Sequence, residues 1–340
     1  MAKEPNRKEE EFFIAPASMS QARAEVVLPS QGSEDVSHLL RQFKQDECCK
    51  PPFDQDQDYL PNAKVDWVVH VDFAPTVVLG KAAIGKVFDV DWLNKNDRPT
   101  VFGFSPETRR WTYVNAADVP DTYSRLQIAW KMRPLGNDEP ITKKQFEQYK
   151  IAVEKAAFTL KATGVRTDLS STEAEQRSGA LIELATSCDR GITVVLQAPR
   201  GRTFEGKAIW DVMLCLGLCW GDMDVFHWEN PGVPGDDHLF SVWTSTPPGY
   251  FFPEEIAAGR VQTADLVFGF SIPRTFQPES IFDSMMEAVK YTQRRLGGVL
   301  VDAEGDSWSE KTARSEIGNV VKQLKVAGFE AGTDDTLYLI

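Results

Sequence analysis

An internal repeat constrains this chain more than any other feature of its sequence. Residues 80–88 run Gly-Lys-Ala-Ala-Ile-Gly-Lys-Val-Phe, and residues 206–214 run Gly-Lys-Ala-Ile-Trp-Asp-Val-Met-Leu. Each stretch follows an apolar run, Val68–Phe73 and Ile192–Gln197, that leads into Ala-Pro. A period of about 130 residues is too long for a solenoid unit, so the repeat predicts two copies of one small domain.

Each copy has the same predicted order of elements, β-α-β-β-β-α-β-α. A second shared motif, Gly-Val-x-x-Asp at 164–168 and 298–302, lies between two helical patterns in both copies. This order predicts an α+β fold with an antiparallel-rich sheet and helices on one face. The tetrapeptide Val-Phe-Gly-Phe at 101–104 and 267–270 falls on different predicted strands, so we exclude it from the repeat.

The repeat also sets the domain boundaries. We expect a flexible acidic tail over 1–62, a first α+β domain over 63–188, a second over 189–330 and a short C-terminal tail over 331–340. The first 62 residues are rich in Glu, Gln, Ser, Asp and Pro, with apolar islands too short to offset the entropy of ordering.

Charge and cysteine content exclude several classes of protein. The net charge of −13 argues against a broad surface for nucleic acid or for an anionic membrane. No run of about 18 apolar residues and no signal sequence occurs, so we expect a cytoplasmic protein without direct membrane insertion. Five scattered cysteines without a Cys-x-x-Cys motif do not predict a disulfide framework.

The second copy resembles a known family, the C-terminal domain of the bacterial cell-division protein ZipA. Three stretches in the family's order carry this resemblance: Leu-Gly-Leu-Cys-Trp-Gly-Asp-Met-Asp-Val-Phe-His at 216–227, Leu-Phe-Ser-Val-Trp-Thr with Pro-Gly-Tyr-Phe-Phe-Pro at 239–253, and Gly-Gly-Val-Leu-Val-Asp at 297–302. The first copy shares only the layout. The resemblance therefore implies two tandem split β-α-β two-layer domains, each with helices on one sheet face.

The resemblance also implies a function without catalysis. The family's domain binds the C-terminal tail of FtsZ, a tubulin-like protein, by apolar burial on its bare sheet face. This implies a cell-division adaptor that binds a protein or short peptide and needs no cofactor and no metal. Carried over position by position, the peptide-binding face comprises Thr193, Val195, Met223, Val225, His227, Trp243, Ser245, Val267 and Gly269.

Three of these positions depart from the family's pattern. Ser245 and Gly269 stand where the family has large apolar residues, and Trp243 replaces a small residue. Losing two buried apolar anchors would cost roughly 1.5–3 kcal/mol each. The family also reaches the membrane through an N-terminal transmembrane helix, which this sequence lacks, so we do not expect the chain to tether FtsZ filaments by itself.

A nucleotide-binding protein or enzyme is the alternative in a different class. Gly201–Lys207 satisfies Gly-x-x-x-x-Gly-Lys after a strand, as a P-loop does, but Ala208 follows where Mg²⁺ binding needs Ser or Thr. We therefore favour a surface turn before a helix. Aromatic residues on the predicted strands could stack on RNA bases, but they lack the basic residues that accompany such aromatics in RNA-binding domains. We therefore interpret them as packing residues.

Acidic residues and a histidine on one predicted strand, Asp222–Trp228, raise the question of a metal site. On a strand, Asp222 and Asp224 share one face while His227 shares the other with Met223 and Val225, so alternation separates the acids from the histidine. We expect no metal there. One alternative within the adaptor class stays open: the two sheet faces cover each other, or the N-terminal tail covers one of them.

Overall fold

The computed structural model describes residues 28–48, 58–117, 119–134 and 139–340. They form two compact units. The β1–β7 unit contains described residues 58–190, 272–274 and 319–340, and the β8–β15 unit contains 28–48, 191–271 and 275–318. Strands and helices occur together in both, which confirms the α+β class predicted from the sequence.

The β1–β7 unit is built on a five-stranded antiparallel sheet with strand order β4-β3-β6-β1-β7. A two-stranded ribbon pairs β2 with β5. Its strands are β1 (Asp66–Asp72), β2 (Leu79–Gly80), β3 (Thr100–Ser105), β4 (Arg110–Tyr113), β5 (Thr122–Tyr123), β6 (Arg125–Lys131) and β7 (Gly164–Thr167). Its first helices are α1 (Lys81–Val87), α2 (Val90–Lys95), α3 (Lys143–Thr159) and α4 (Ser171–Cys188).

Helix α3 covers one face of this sheet. Thr142-x-x-Gln145 in the sequence predicts a capping box at its start. The box is present, because the Thr142 side chain accepts from the Gln145 N–H while the Gln145 side chain accepts from the Thr142 N–H. Trp67 of β1 packs on Phe146 with ring centroids 4.9 Å apart, and the Trp130 ring of β6 stacks on Tyr149 at 4.8 Å. Odd-numbered residues of β1 therefore face the helices, and even-numbered residues face away.

The β8–β15 unit has a six-stranded antiparallel sheet of order β10-β11-β12-β14-β8-β15, and β9 pairs with β13 in a separate ribbon. Its strands are β8 (Gly191–Gln197), β9 (Phe204–Glu205), β10 (Cys219–Trp220), β11 (Phe226–Glu229), β12 (His238–Trp243), β13 (Gln262–Thr263), β14 (Asp265–Ser271) and β15 (Val299–Val301). Its helices are α5 (Gly206–Cys215), α6 (Pro253–Ala257), α7 (Pro278–Leu296) and the first part of α8 (Glu310–Val326).

One face of this second sheet lies against α5 and α7. Trp210 of α5 packs on Phe226 of β11 with ring centroids 5.3 Å apart, and α7 contacts β12 and β14. The strand residues that share this face are buried: Val194, Leu196, Phe240, Val242 and Phe268. Burial of these residues together with the apolar stripes of α5 and α7 makes up the core of the unit.

Residues 28–48 differ from the flexible tail predicted for 1–62. They follow a defined path along α5 and α7: the Trp210 Nε1–H donates to the Pro29 carbonyl at 2.9 Å, and the Arg41 N–H donates to Ser284 Oγ at 3.0 Å. Leu40 is buried. The short apolar island around Leu40 therefore anchors this segment on the helix layer. Residues 1–27 and 49–57 of the predicted tail lie outside the described residues.

Two further expectations differ from the structure. The sequence predicts one helix over about 79–93, but the structure has two, because the Asp89 side chain accepts from the Trp92 N–H and starts a new helix. The C-terminal tail predicted over 331–340 contains helix α9 (Asp334–Leu339), which buries Leu339 and is tied to Asn62 through Asp335.

The two units share a detail that their sheets alone do not show. In each, a two-residue strand leads directly into the first helix and pairs with a two-residue strand just before the long sheet strand: β2 with β5, and β9 with β13. The outer strands differ, however. After the helices that follow β1, the chain returns to the β1–β7 sheet at the inner strand β3 and moves out to β4. After α5 it returns to the other sheet from outside, through β10 and β11 to β12.

Candidate functional site

The face of the β8–β15 sheet that points away from the helices carries most of the predicted site. Across β8 and β14, Thr193 pairs with Gly269 and Val195 with Val267. Across β14 and β12, Val267 pairs in turn with Trp243. Because directly paired residues point to the same side of a sheet, these five positions are neighbours on one surface. We call this surface the free face.

Two more residues of the free face were not predicted from the sequence. Ser241 pairs with Gly269 on one side and with His227 on the other, and Val301 of β15 pairs with Val195. Alternation along β12 from Trp243 gives Ser241 directly, so this position could have been found. Val301 could not, since its place depends on which strand β15 joins.

Trp243 and Gly269 compensate for each other. A Cβ atom built on Gly269 would lie 2.8 Å from Cη2 and 3.2 Å from Cζ3 of Trp243, so the indole lies across the glycine. The large side chain absent at 269 is thus replaced by a large side chain from the neighbouring strand, an arrangement known as aromatic rescue of a glycine. The sequence departures at these two positions therefore keep an apolar surface on the free face.

The predicted strand Asp222–Trp228 is wrong in its first half. Asp222–Asp224 form a 3₁₀ turn, closed by the Asp224 N–H donating to the Gly221 carbonyl at 2.9 Å, and β11 begins only at Phe226. Met223 has a φ of 56° and is 87% exposed, while Val225 is buried just before the strand. Met223 thus projects from a turn at the entry to β11 and does not lie on the sheet by alternation.

Ser245 is not part of the sheet either, because β12 ends at Trp243. Its N–H donates to Asp265 Oδ1 at 2.7 Å and its hydroxyl to Oδ2 of the same carboxylate, which also accepts from Thr244 Oγ1. The aspartate is buried at the start of β14. Ser245 therefore fastens the loop after β12 rather than offering apolar surface.

His227 is held in its neutral form. It is 5% exposed, and burial is the main cause that lowers its pKa below the usual 6.5. Its Nε2 lies 2.8 Å from the Asp222 carbonyl oxygen, so Nε2 carries the proton and donates it. Its Nδ1, 2.8 Å from Ser241 Oγ, accepts from the hydroxyl. Both ring nitrogens are therefore occupied, and the residue has a structural role.

The acidic residues near His227 do not gather around it as ligands. The Asp222 carboxylate is 4.0 Å from His238 Nε2, and the His238 ring stacks on His227 at 3.8 Å. Within the described ranges of the chain, no group of three or more His, Cys, Asp or Glu side chains could hold a metal ion.

Gly201–Lys207 does not have the shape of a phosphate-binding loop. Phe204 and Glu205 form β9 inside the motif. The Gly206 N–H, which such a loop would offer to a phosphate, already donates to the Val261 carbonyl at 2.9 Å. These bonds fit the surface turn before a helix that we favoured from the sequence.

The N-terminal segment 28–48 makes its contacts on the helix side of the sheet and not on the free face. Its hydrogen bonds run to α5 and α7, on the opposite side of the sheet from Trp243. Phe43 packs on Trp228, whose strand position also belongs to the helix-facing side. This part of the tail is therefore fastened to the helix layer.

The geometry defines a class of protein. An antiparallel sheet with helices on one face and a half-buried surface on the other defines a two-layer α+β domain. Residues 191–316 match the model of a family described as ZipA, C-terminal FtsZ-binding domain. The resemblance predicted for the second copy is thereby confirmed.

Several similar proteins are named cell division protein ZipA. That of Shewanella loihica is 28% identical over 127 residues, 37% of each chain, and that of Pseudomonas fluorescens is 31% identical over 111 residues, 33% of this chain and 37% of its own. That of Ectopseudomonas mendocina is 29% identical over 140 residues, 41% of this chain and 50% of its own. The chain thus spans between about a third and a half of these relatives.

The described parts of the chain contain no helix that is both long and apolar enough to cross a membrane.

Proposed function

We propose that this chain is a non-enzymatic adaptor of bacterial cell division that captures a short apolar peptide, the C-terminal tail of FtsZ, on the free face. The observation that carries this proposal is the indole of Trp243 lying over Gly269. It keeps a large apolar side chain at the centre of the face in the domain that matches an FtsZ-binding family.

The chemistry of the free face supports apolar capture. Thr193 and Val195 are half-buried, Val267 is only 4% exposed, and no ionised side chain lies among them. Neutral His227 closes the face without a buried charge. Covering such a surface gains about 25 cal/mol per Å² of apolar area removed from water, and no charge has to be desolvated.

We further propose that the two units descend from one duplicated domain. The shared order of elements and the matching β2–β5 and β9–β13 ribbons support this. The ribbons place Gly80-Lys81 and Gly206-Lys207, the sequence repeat, at the same junction of strand and helix. A location in the cytoplasm and independence from nucleic acids stay predictions from the sequence.

Trp243→Ala tests the peptide site. We expect it to weaken binding of a labelled FtsZ C-terminal peptide by about 1–3 kcal/mol, or roughly 5- to 150-fold, because hot-spot aromatics dominate such surfaces. Fluorescence anisotropy measures the affinity. The control is Phe158→Ala, which removes an equally apolar but exposed side chain from α3 of the other unit. Equal affinity of a folded Trp243→Ala variant and the control would refute the assignment.

A further inference from the structure

The β1–β7 sheet also has a face that points away from its helices, and a short segment of the chain lies on it. Val68, Phe102 and Ala129 form a buried cluster on this face, and Tyr59 and Trp111 pack against the cluster. Tyr59 comes from the stretch before β1, so it is contributed from outside the sheet.

Asp58 and Tyr59 attach to the edge of that sheet as a bound strand does. The Tyr59 N–H donates to the Trp111 carbonyl at 2.9 Å, and the Trp111 N–H donates to Asp58 Oδ1 at 2.8 Å. Trp111 belongs to β4, the outermost strand. The segment therefore satisfies main-chain groups of an open edge, while its aromatic ring lies 5.0 Å from that of Tyr113.

We propose that this face is a second peptide-binding site, and that Asp58-Tyr59-Leu60 fills it as a ligand tethered to its own chain. The site takes an extended peptide in which a carboxylate side chain precedes an aromatic one. The carboxylate binds the Trp111 N–H, and the aromatic ring packs between Tyr113 and the cluster of Val68 and Phe102.

The charge around the site fits the same ligand. The Arg125 guanidinium lies over the rings of Phe104 and Trp111, 4.1 and 5.4 Å from their centroids. A cation held at the rim attracts an acidic peptide. The tethered segment has that composition, since Phe-Asp-Gln-Asp-Gln-Asp-Tyr precedes Leu60 in the sequence.

The residues on both sides of Tyr59 in the tethered segment are exposed, which makes the segment accessible to exchange. Asp58 is exposed and Leu60 is 49% exposed, while the Tyr59 ring packs on the sheet. A tethered ligand meets its site at an effective concentration on the order of millimolar, so even a weak one fills it. A separate peptide competes once the ratio of its concentration to its dissociation constant exceeds the same ratio for the tethered segment. This inference does not depend on the free face of the other unit.

The test uses the full chain and a labelled synthetic peptide of residues 52–62. The double variant Asp58→Ala/Tyr59→Ala empties the site, and we expect it to bind the peptide at least tenfold more tightly than the wild-type chain does. For a peptide with alanine in place of the tyrosine, this increase in affinity over the wild-type chain is expected to disappear. Adding Tyr113→Ala to the emptied chain is expected to abolish it, because that ring contacts the ligand's aromatic.

The outcomes separate this proposal from the FtsZ-tail assignment. Trp243→Ala lies in the other unit and is expected to leave binding of the 52–62 peptide unchanged. If the double variant melts below the assay temperature, the single Asp58→Ala variant, which removes one exposed acceptor, replaces it with the same expected order of affinities. Binding to a folded, emptied chain that is no tighter than binding to wild type would overturn the proposal.

Discussion

The two sheets present their second faces in different ways. In the β1–β7 unit that face is covered by the chain itself: Tyr59 lies on the buried cluster, and the Lys131 ammonium lies 3.8 Å from the ring centroid of Tyr338 in α9. In the β8–β15 unit the corresponding face keeps Thr193 and Val195 half-exposed. An antiparallel sheet can leave its second face to solvent, and the two sheets differ in how far that face is covered.

Burial on the covered face changes the ionisation of its charged residues. Asp66, whose partner across the sheet is Lys131, has its pKa raised to about 6, chiefly by burial. Burial also lowers the pKa of Lys131. On the free face His227 is buried with a lowered pKa, and the buried Asp265 carboxylate at the start of β14 accepts from Thr244 and Ser245. The covered face therefore holds a buried carboxyl group directly opposite a lysine.

Both sheets contain a glycine that lies under an aromatic ring, but on opposite faces. The glycine of each Val-Phe-Gly-Phe lies under an aromatic ring from a neighbouring segment: Gly103 under Tyr123, and Gly269 under Trp243. Gly103 pairs with Leu126, on the helix-facing side, and Tyr123 is completely buried. Trp243 is half-buried on the free face. The tetrapeptide is outside the repeat, yet its glycine makes room for an aromatic ring in both places.

Gly103→Ala is expected to have the largest effect on stability. Its Cβ would lie 2.3 Å from Cδ1 of a ring that is fully enclosed, so the ring or the strand must shift. We expect a loss of about 3 kcal/mol in the free energy of unfolding, measured by urea titration, as for an overpacked core. Gly85→Ala is the control, because nothing lies within 4 Å of the added methyl group. Equal midpoints for the two variants would contradict the enclosed ring.

Gly269→Ala is expected to cost less, about 1–2 kcal/mol, because part of the strain is relieved when the half-exposed indole of Trp243 swings outward. The remaining strain comes from the Ile192 carbonyl oxygen, 2.9 Å from the added Cβ. In a Trp243→Ala background the cost should fall further. A double-mutant cycle by urea unfolding measures this coupling, and strictly additive effects would show that the two residues do not share the space.

Much of the fold could be predicted because the signals are local. The sequence predicts a strand over 191–197 and a helix over 278–296, and both have these bounds in the structure. An apolar run with polar ends marks the strand, and a proline at the first turn marks the helix. Local signals also mislead: Asp-Met-Asp-Val alternates as a strand does, but the turn at Gly221 takes the first three of these residues out of the sheet.

The candidate site was harder to predict because it depends on neighbours distant in sequence. The family resemblance implies one face for Thr193, Val195 and Val267, and the register of β8 and β14 brings them together. That Trp243 lies over Gly269 requires β12 beside β14, and strand order does not follow from element order: the two units place their outer hairpins oppositely. For that reason the sequence alone predicts the loss of an apolar anchor at Gly269.

A smaller effect distinguishes the two faces by pH. Burial lowers the pKa of His227 below 6.5, so the folded chain favours the neutral imidazole. The contribution of this preference to stability is present above pH 6.5 and is lost as the pH falls. For Asp66 the sign is opposite, since the cost of burying its charge is relieved as the pH falls through about 6.

We therefore expect the melting temperature of His227→Gln to fall less than that of wild type between about pH 7.5 and 5.5, measured by circular dichroism. The exposed His38→Gln variant is the control. If His227→Gln and wild type lose the same amount, the neutral form of His227 does not contribute to the stability of the fold.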